Sequence, residues 1–311
     1  MLKDIFGKAL NIKNRKVETS LIESFYYPKF GPGQLWTKAL KDAENHGVYV
    51  KFNSKVVGID NSSNKVHSIR VKDTKTGIEK DFKCDILLSS MPIKDLAESV
   101  SSIPDNIKTD AVGLPYRDFM TCGLLIDKLA VKNKTNIKTY NDLVPDCWIY
   151  VQDNGVTMGR VQIFNNWSPY MVKDYKNTVW IGTEYFCNEG DNLWSMTDEQ
   201  FTELAVSELQ KIGLLDKNAD IKLSHVEHVK KAYPAYFDTY DHIKDIQDWI
   251  NSQDGLMCIG RNGQHHYNNM DHSMLTAFTA VDIINGADGV KKQDLWEVNA
   301  EKEYHEEKAS K

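Results

Sequence analysis

The chain has 311 residues, 41% hydrophobic and 26% charged, which is the composition of a soluble globular protein of one large or two ordinary domains. Its 44 acidic against 38 basic residues give a net charge of −6, and the lysines are scattered beside acids, which argues against a nucleic-acid surface. No stretch is apolar for long enough to span a bilayer and MLKDIFGKALNIKNRK has no signal core, so a cytoplasmic protein is expected.

After an amphipathic start, SFYYPKFGPGQLWTKALKDAENHG predicts a Pro/Gly turn feeding a helix. Leu35, Ala39, Leu40 and Ala43 share one face of it, and Gly47 is placed to end it. The run from Val48 to Ser90 then gives short β segments separated by Asn-Ser-Ser-Asn and Lys-Thr-Gly turns. CDILLSSMP reads as a buried strand with serines at its carboxyl end, and Pro92 opens a helix through Ala97.

From 99 onward the texture changes. YRDFMTCGLLIDKL, DCWIYVQD, RVQIFNNW and TVWIGTEYFC predict strands of an antiparallel sheet. Thr197 and Gln200 stand at capping-box spacing ahead of a helix that runs to Gly213. GLMCIG is a further buried strand, and DHSMLTAFTAVDIING is a helix closed by Gly286. The tail EVNAEKEYHEEKASK is charged and expected to be solvated or frayed. Two α/β pieces, 27–98 and 250–290, thus flank a β-rich middle, 99–249, with a tail at 291–311. An inserted middle domain and two sequential domains both satisfy this pattern, within an overall α/β class that mixes in α+β character.

The stretch GRNGQHHYNNMDHSMLTAFTA, Gly260 to Ala280, carries the chemistry. A strand, a glycine turn and a helix N-terminus together offer free N–H groups and partial positive charge to an anionic ligand. Arg261 adds a permanent cation, while Asn268, Asn269 and Asp271 either cap the helix or meet ligand hydroxyls. Small residues in the first turn leave room for a planar ring, so a large polar cofactor with a phosphate-bearing tail is expected. His265, His266 and His272 lack a carboxylate at metal-ligand spacing, so no metal is expected. The five cysteines show no CxxC pair and no nucleophile signature, and reduced thiols are expected.

The whole string GLMCIGRNGQHHYNNMDHSMLTAFTAVDIING resembles the carboxyl-terminal flavin-binding segment of the FAD-dependent amine oxidase and protoporphyrinogen oxidase-like family, a group that is similar to UDP-galactopyranose mutase. FYYPKFGPGQLWTKALKDAENHGVYVKFNSKVVGI, CDILLSSMPIKDL, MGRVQIFNNWSPYMV, WIGTEYFCNEGD and KKAYPAYFDTY resemble further parts of it, so the likeness runs from about Ser24 to Glu306. It implies FAD as cofactor, bordered by Val57, Gly260, Arg261, Asn268, Asn269, Asp271 and Met274, with Pro32, Gly33 and Gln34 as further neighbours. It implies substrate contacts at Arg117, Arg160, Asn166, Trp167, Tyr185, Tyr233, Tyr236 and His266, for an amine, a ring compound or a nucleotide sugar. The implied fold is the carboxyl-terminal part of a FAD/NAD(P)-binding Rossmann-like domain with an inserted β-rich substrate domain. The family's opening G-x-G-x-x-G turn has no counterpart here, since Pro32 interrupts FGPGQ. A partner polypeptide carrying that unit, a truncated gene and a loss of cofactor binding all stay open. So do three functions: oxidoreductase, flavin-dependent nucleotide-sugar isomerase, and non-catalytic subunit.

Overall fold

The computed structural model describes residues 26–299; the amphipathic start and the tail from 300 onward lie outside the described residues. Helix α1 (Gly33–Asn45) follows Pro32, and the chain leaves it through Gly47 at φ 88°. Its apolar face is present, yet none of its residues is buried. Periodicity foretold the helix but not its packing.

Strands β1 (Ser54–Asp60), β2 (Ser68–Asp73) and β3 (Glu79–Lys83) form an antiparallel meander in that order. The expected Lys-Thr-Gly turn is held by Asp73, whose Oδ1 accepts the N–H groups of Lys75 and Thr76. Strand β4 (Leu87–Ser89) leads into helices α2 (Ile93–Ser99) and α3 (Asp105–Gly113), preceded by Pro92 and Pro104.

The next strands, β5 (Tyr116–Ile126), β6 (Trp148–Tyr150), β7 (Arg160–Ile163) and β8 (Val179–Cys187), join β9 (Ile221–Pro234) in one antiparallel sheet ordered β6-β7-β8-β5-β9. Between β8 and β9 lies helix α4 (Asp198–Lys211), closed by the predicted box: Gln200 N donates to Thr197 Oγ1, and Thr197 N to Gln200 Oε1. Helix α5 (Ile243–Ser252), strand β10 (Leu256–Cys258) and helix α6 (Met270–Ile284) complete the order.

Alternation along the sheet decides what is inside. Met120, Cys122, Leu124 and Ile126 of β5 face the same side as Val179, Ile181 and Tyr185 of β8, where Phe201, Ala205 and Leu209 of α4 cover them. A second core collects Ile59, Ile93, Leu96, Ile107, Ile246, Ile250 and Leu256, drawing on segments before and after the sheet. There β4 and β10 pair in parallel, with Leu87 opposite Leu256 and Ser89 opposite Cys258. Met257, Ala280 and Leu295 form a small third cluster under α6.

Three elements escaped the sequence reading. Helix α3 carries only two buried residues and a thin periodic signal, whereas α5 has Ile243, Ile246, Trp249 and Ile250 at helical spacing toward the second core, a signal that was present and passed over. Strand β9 sits at a sheet edge with only Val226 and Pro234 buried. Ahead of the charged stretch that begins at Glu297, most of which lies outside the described residues, the chain is anchored. Leu295 is 1% exposed, and Lys292 Nζ donates to the carbonyls of Ile250, Asn251 and Gln253 at the end of α5.

Glu208 of α4 is buried and accepts from Thr157 N at 2.7 Å, Thr157 Oγ1 at 2.8 Å and Met158 N at 3.0 Å. Glu208→Ala strands those donors and is expected to cost about 3 kcal/mol of unfolding free energy, read by urea denaturation.

Candidate functional site

Because β4 and β10 run parallel, their carboxyl ends, Ser89 and Cys258, fall on one side of the molecule. The chain leaves β10 with Ile259 N donating to Ser89 O at 2.9 Å. Gly260 then takes φ 72°, a region other side chains rarely enter, and its N–H donates to Thr276 Oγ1 on α6 at 2.9 Å. Gly263 lies so close to β4 that a Cβ would stand 2.5 Å from Ser89 O. The two glycines therefore set the path of the loop, one by conformation and one by lack of space.

Three hydrogen bonds tie this loop to the exit of β9. Arg261 Nη1 donates to Ala232 O at 3.2 Å, His265 Nε2 to Ala235 O at 3.0 Å, and Tyr267 N to the Tyr236 hydroxyl at 2.6 Å. Arg261 Nε also donates to Asn268 O at 2.8 Å. The guanidinium lies 4.5 Å from the Tyr267 ring centroid and 5.5 Å from that of Tyr233, and these two rings stack at 14°.

The exit of β9 is itself shaped by a bulge. Register is lost between Arg117 and Phe119, and Lys231 adopts φ 54°. Asp118, 8% exposed, pins the distortion by accepting from Lys231 N at 2.7 Å and Glu189 N at 2.6 Å. Beyond the bulge Tyr233 meets Arg160, whose Nη2 donates to its hydroxyl at 2.9 Å. Arg160 Nε stands 2.5 Å from Glu184 Oε2 with both side chains largely buried, and its guanidinium lies 4.9 Å from the Trp148 centroid and 5.2 Å from that of Phe186. Two guanidiniums and four aromatic rings thus share one surface, where Trp148, Phe186 and Tyr267 remain 40–44% exposed.

Of the residues expected at a site, the fold gathers Arg160, Tyr233, Tyr236, Arg261 and His266 here. Trp167 adjoins through Trp148 at 6.1 Å, and Arg117 stands opposite Tyr233 in the strand register. Gly260, Asn269, Asp271 and Met274 lie along the loop and first turn of α6. Others are placed differently. Tyr185 is 0% exposed against Phe201 in the core, one residue out of phase with Glu184 and Phe186 on the open face. Asn268 is 1% exposed, donating to Gln264 Oε1 and accepting from Asn299 Nδ2. Its side chain holds the loop instead of facing a ligand. Asn166 Nδ2 is used by the carbonyls of Val144 and Asp146. Val57 sits at the bulge between Val56 and Gly58 in the three-stranded sheet.

Glu184, Trp148, Phe186 and Tyr267 were missed. An acid inside the apolar run TVWIGTEYFC was the available signal, because a buried carboxylate needs a cation. Cavities lie elsewhere: about 340 Å³ lined by Asp198, Glu199, Glu203 and His225 among others, and about 520 Å³ beside α1, lined by Phe30, Gly33, Gln34, Thr37, Lys38 and Lys41. The aromatic–guanidinium surface outranks both as a candidate because it gathers polar groups from three separate segments.

The three histidines diverge. His266 Nε2 donates to Asn299 O, His272 Nδ1 accepts from Asn269 N, and His265 is 0% exposed with φ 47°. Among the described residues no group of three His, Cys, Asp or Glu could hold a metal. Burial pushes His265 below its ordinary pKa, with the Ala235 bond opposing, and raises the phenols of Tyr116, Tyr236 and Tyr240. These three tyrosines therefore stay neutral hydroxyls at pH 7.

No protein-family model matches the chain, and no curated protein does. Solved structures share its fold. The crystal structure of reduced UDP-galactopyranose mutase aligns with a TM-score of 0.70 at 16% identity, over 88% of this chain and 56% of that one. A putative protoporphyrinogen oxidase from Exiguobacterium sp. 255-15 gives 0.53 at 12% identity, over 79% and 51%. The chain spans little more than half the length of either. At the level of fold, the resemblance read from the sequence holds, and the class is mixed α/β. Among the described residues no helix is long and apolar enough to cross a membrane.

Two outcomes follow for this surface. Glu184→Ala leaves Arg160 buried without its counter-charge and is expected to cost about 3–5 kcal/mol, whereas the joint replacement Glu184→Leu with Arg160→Met recovers most of it; a double-mutant cycle in urea reads both. Below the ordinary histidine value of 6.5, the unfolded chain takes a proton at His265 that the folded chain refuses, so acidification destabilises the fold. His265→Gln is expected to flatten that part of the stability–pH curve.

Proposed function

We propose that the chain is the substrate-facing portion of a flavin-dependent oxidoreductase-type protein, with FAD lying along the Gly260–Asn269 loop and substrate against Arg160 and Tyr233. One observation carries the reading: the loop at the ends of the parallel strands is hydrogen-bonded directly to the strand that presents Tyr233. A ligand bound at one would touch a ligand bound at the other.

The unpaired acceptor atoms suit such a cofactor. Ser89 Oγ, Asn262 Oδ1 and His265 Nδ1 are buried polar atoms with no partner among the described residues, and such atoms call for ligand hydroxyl or N–H groups. The space where Gly260 would carry a Cβ is clear for 4 Å. Gly260, Arg261, Asn269, Asp271 and Met274 would border the cofactor, with Val57 reaching it from the three-stranded sheet. When bound, a flavin supplies the electron-accepting ring. The residues of this chain supply the rest. Arg261 fixes a positive charge beside the ring site, Arg160 and Tyr233 orient the substrate, and Trp148, Phe186 and Tyr267 exclude water. Arg117, Trp167, Tyr236 and His266 would extend the substrate side, which takes an amine or ring compound.

A second reading, a flavin-dependent isomerase of nucleotide sugars, draws support from the stronger likeness to UDP-galactopyranose mutase, 0.70 against 0.53. Two guanidiniums beside exposed aromatic rings suit a diphosphate flanked by a base and a sugar. UDP-galactose should then raise the melting temperature while simple amines leave it unchanged.

FAD titration tests the shared premise. Saturable quenching of the tyrosine and tryptophan fluorescence is expected, weakened about tenfold in Arg261→Ala, a change of about 1.4 kcal/mol. Quenching that never saturates, or that Arg261→Ala leaves unchanged, would contradict it.

A further inference from the structure

We propose that Asn299 is a positioning residue for the candidate surface: a relay of three carboxamides that starts from its side chain sets the loop 264–268 and, with it, the ring of Tyr267. That a ligand feels this placement rests on the function proposed above, whereas the placement itself does not.

Asn299 meets three successive loop residues. Its Nδ2 donates to Tyr267 O at 3.0 Å and to Asn268 Oδ1 at 3.1 Å, and its carbonyl accepts from His266 Nε2 at 3.2 Å. It does so at φ 60°, a left-handed conformation that asparagine tolerates better than most side chains and that glycine adopts freely. The residue type thus answers two demands at once, the backbone angle and the amide donor.

From Asn268 the relay continues inward. Asn268 Nδ2 donates to Gln264 Oε1 at 3.1 Å, and Gln264 Nε2 donates to the carbonyl of Leu295 and, at 3.4 Å, to that of Cys258. Its direction is forced. Gln264 Nε2 faces two carbonyls, which only accept, so Oε1 is left to Asn268, and Asn268 Oδ1 to Asn299. Asn268 and Gln264 are 1% and 3% exposed, so a member that loses its donor leaves a buried amide unpaired.

The relay begins and ends on one short segment, and that segment is held from elsewhere. It contains the 3₁₀ turn Lys292–Trp296, whose lysine binds three carbonyls at the end of α5. Asn251 at the same place accepts from Trp296 Nε1 and donates to Gln293 Oε1, both at 3.0 Å. These contacts make the segment the fixed member and the loop the member that is set. Tyr267 lies at the far end. Its main-chain bonds to Asn299 and to the Tyr236 hydroxyl are exposed, and its ring stacks on Tyr233 at 5.8 Å and lies 4.5 Å from the Arg261 guanidinium. A ring with so few ties moves when its peptide is released.

The test uses the full chain labelled with 3-fluorotyrosine, with the Tyr267 and Tyr185 signals identified by their loss in Tyr267→Phe and Tyr185→Phe. Asn299→Gly keeps the backbone angle and removes the amide, while Asn299→Asp keeps the shape and removes the donor. Both are expected to shift or broaden the Tyr267 fluorine signal and to leave that of Tyr185, buried against Phe201, in place. On FAD titration, Tyr267→Ala and Asn299→Gly are each expected to weaken binding about fivefold and the double variant no further, since both changes act through one ring. A Tyr267 signal unmoved in both variants, a shift that Tyr185 shares in both, or losses that multiply in the double variant would overturn the proposal. A wild type that binds no FAD counts against the flavin reading alone, and the fluorine signals then decide the role of Asn299.

Discussion

Three hydrogen bonds latch the loop after β10 to the exit of β9: Arg261 to Ala232 O, His265 to Ala235 O, and Tyr267 N to the Tyr236 hydroxyl. Nearly every feature of the candidate surface depends on them. They bring a guanidinium from the α/β part against aromatic rings of the antiparallel sheet, and they hold the amino end of α6 beside Tyr233. Two of the three are partly buried and accept at main-chain carbonyls, while the third, at the Tyr236 hydroxyl, is exposed. His265 adopts φ 47° to reach its carbonyl, a strained conformation for a side chain of this size that the surrounding contacts sustain.

The sheet contributes through its period of two. One face of β5, β7 and β8 is occupied by the apolar core under α4, so the other face collects whatever the alternate positions carry: Phe119, Arg160, Glu184 and Phe186. Arg160 and Glu184 are costly to bury singly and tolerable as a pair. The bulge at Lys231, pinned by Asp118, turns the end of β9 so that Tyr233 bridges the two guanidiniums. A regular ladder would have carried Tyr233 past them.

Much of the architecture was legible in the sequence because local rules and burial agreed. The Thr197–Gln200 box, the strand GLMCIG, and the helix ended by Gly286 each combine a turn signal with an apolar run, and all three formed where expected. Strand β9 was not legible as one strand. It lies at an edge, so its sequence IKLSHVEHVKKAYP carries charges on both faces and no alternation. The candidate surface was half legible. Gly260, Arg261, Arg160 and Tyr233 were named from residue type and resemblance and the fold brings them near one another, but Tyr185 was named and Glu184 was not, because phase relative to the core cannot be read without knowing which alternate set is buried. Asn268 looked like a ligand group and serves as a structural tie, since a polar loop must satisfy its own buried groups before it can offer any to a ligand. Tyr267 lay inside the stretch singled out from Gly260 to Ala280, but its place against Tyr233 comes from the latch and not from its residue type.

The central claim is that the latched loop and the end of β9 form the two walls of one ligand site. Hydrogen–deuterium exchange with and without FAD tests this most directly. The account predicts slowed exchange at Gly260–Asn269 and, in the same experiment, at Lys231–Tyr236. Slowing confined to either segment alone, or appearing only beside α1 or the acidic cavity near Asp198, would contradict it.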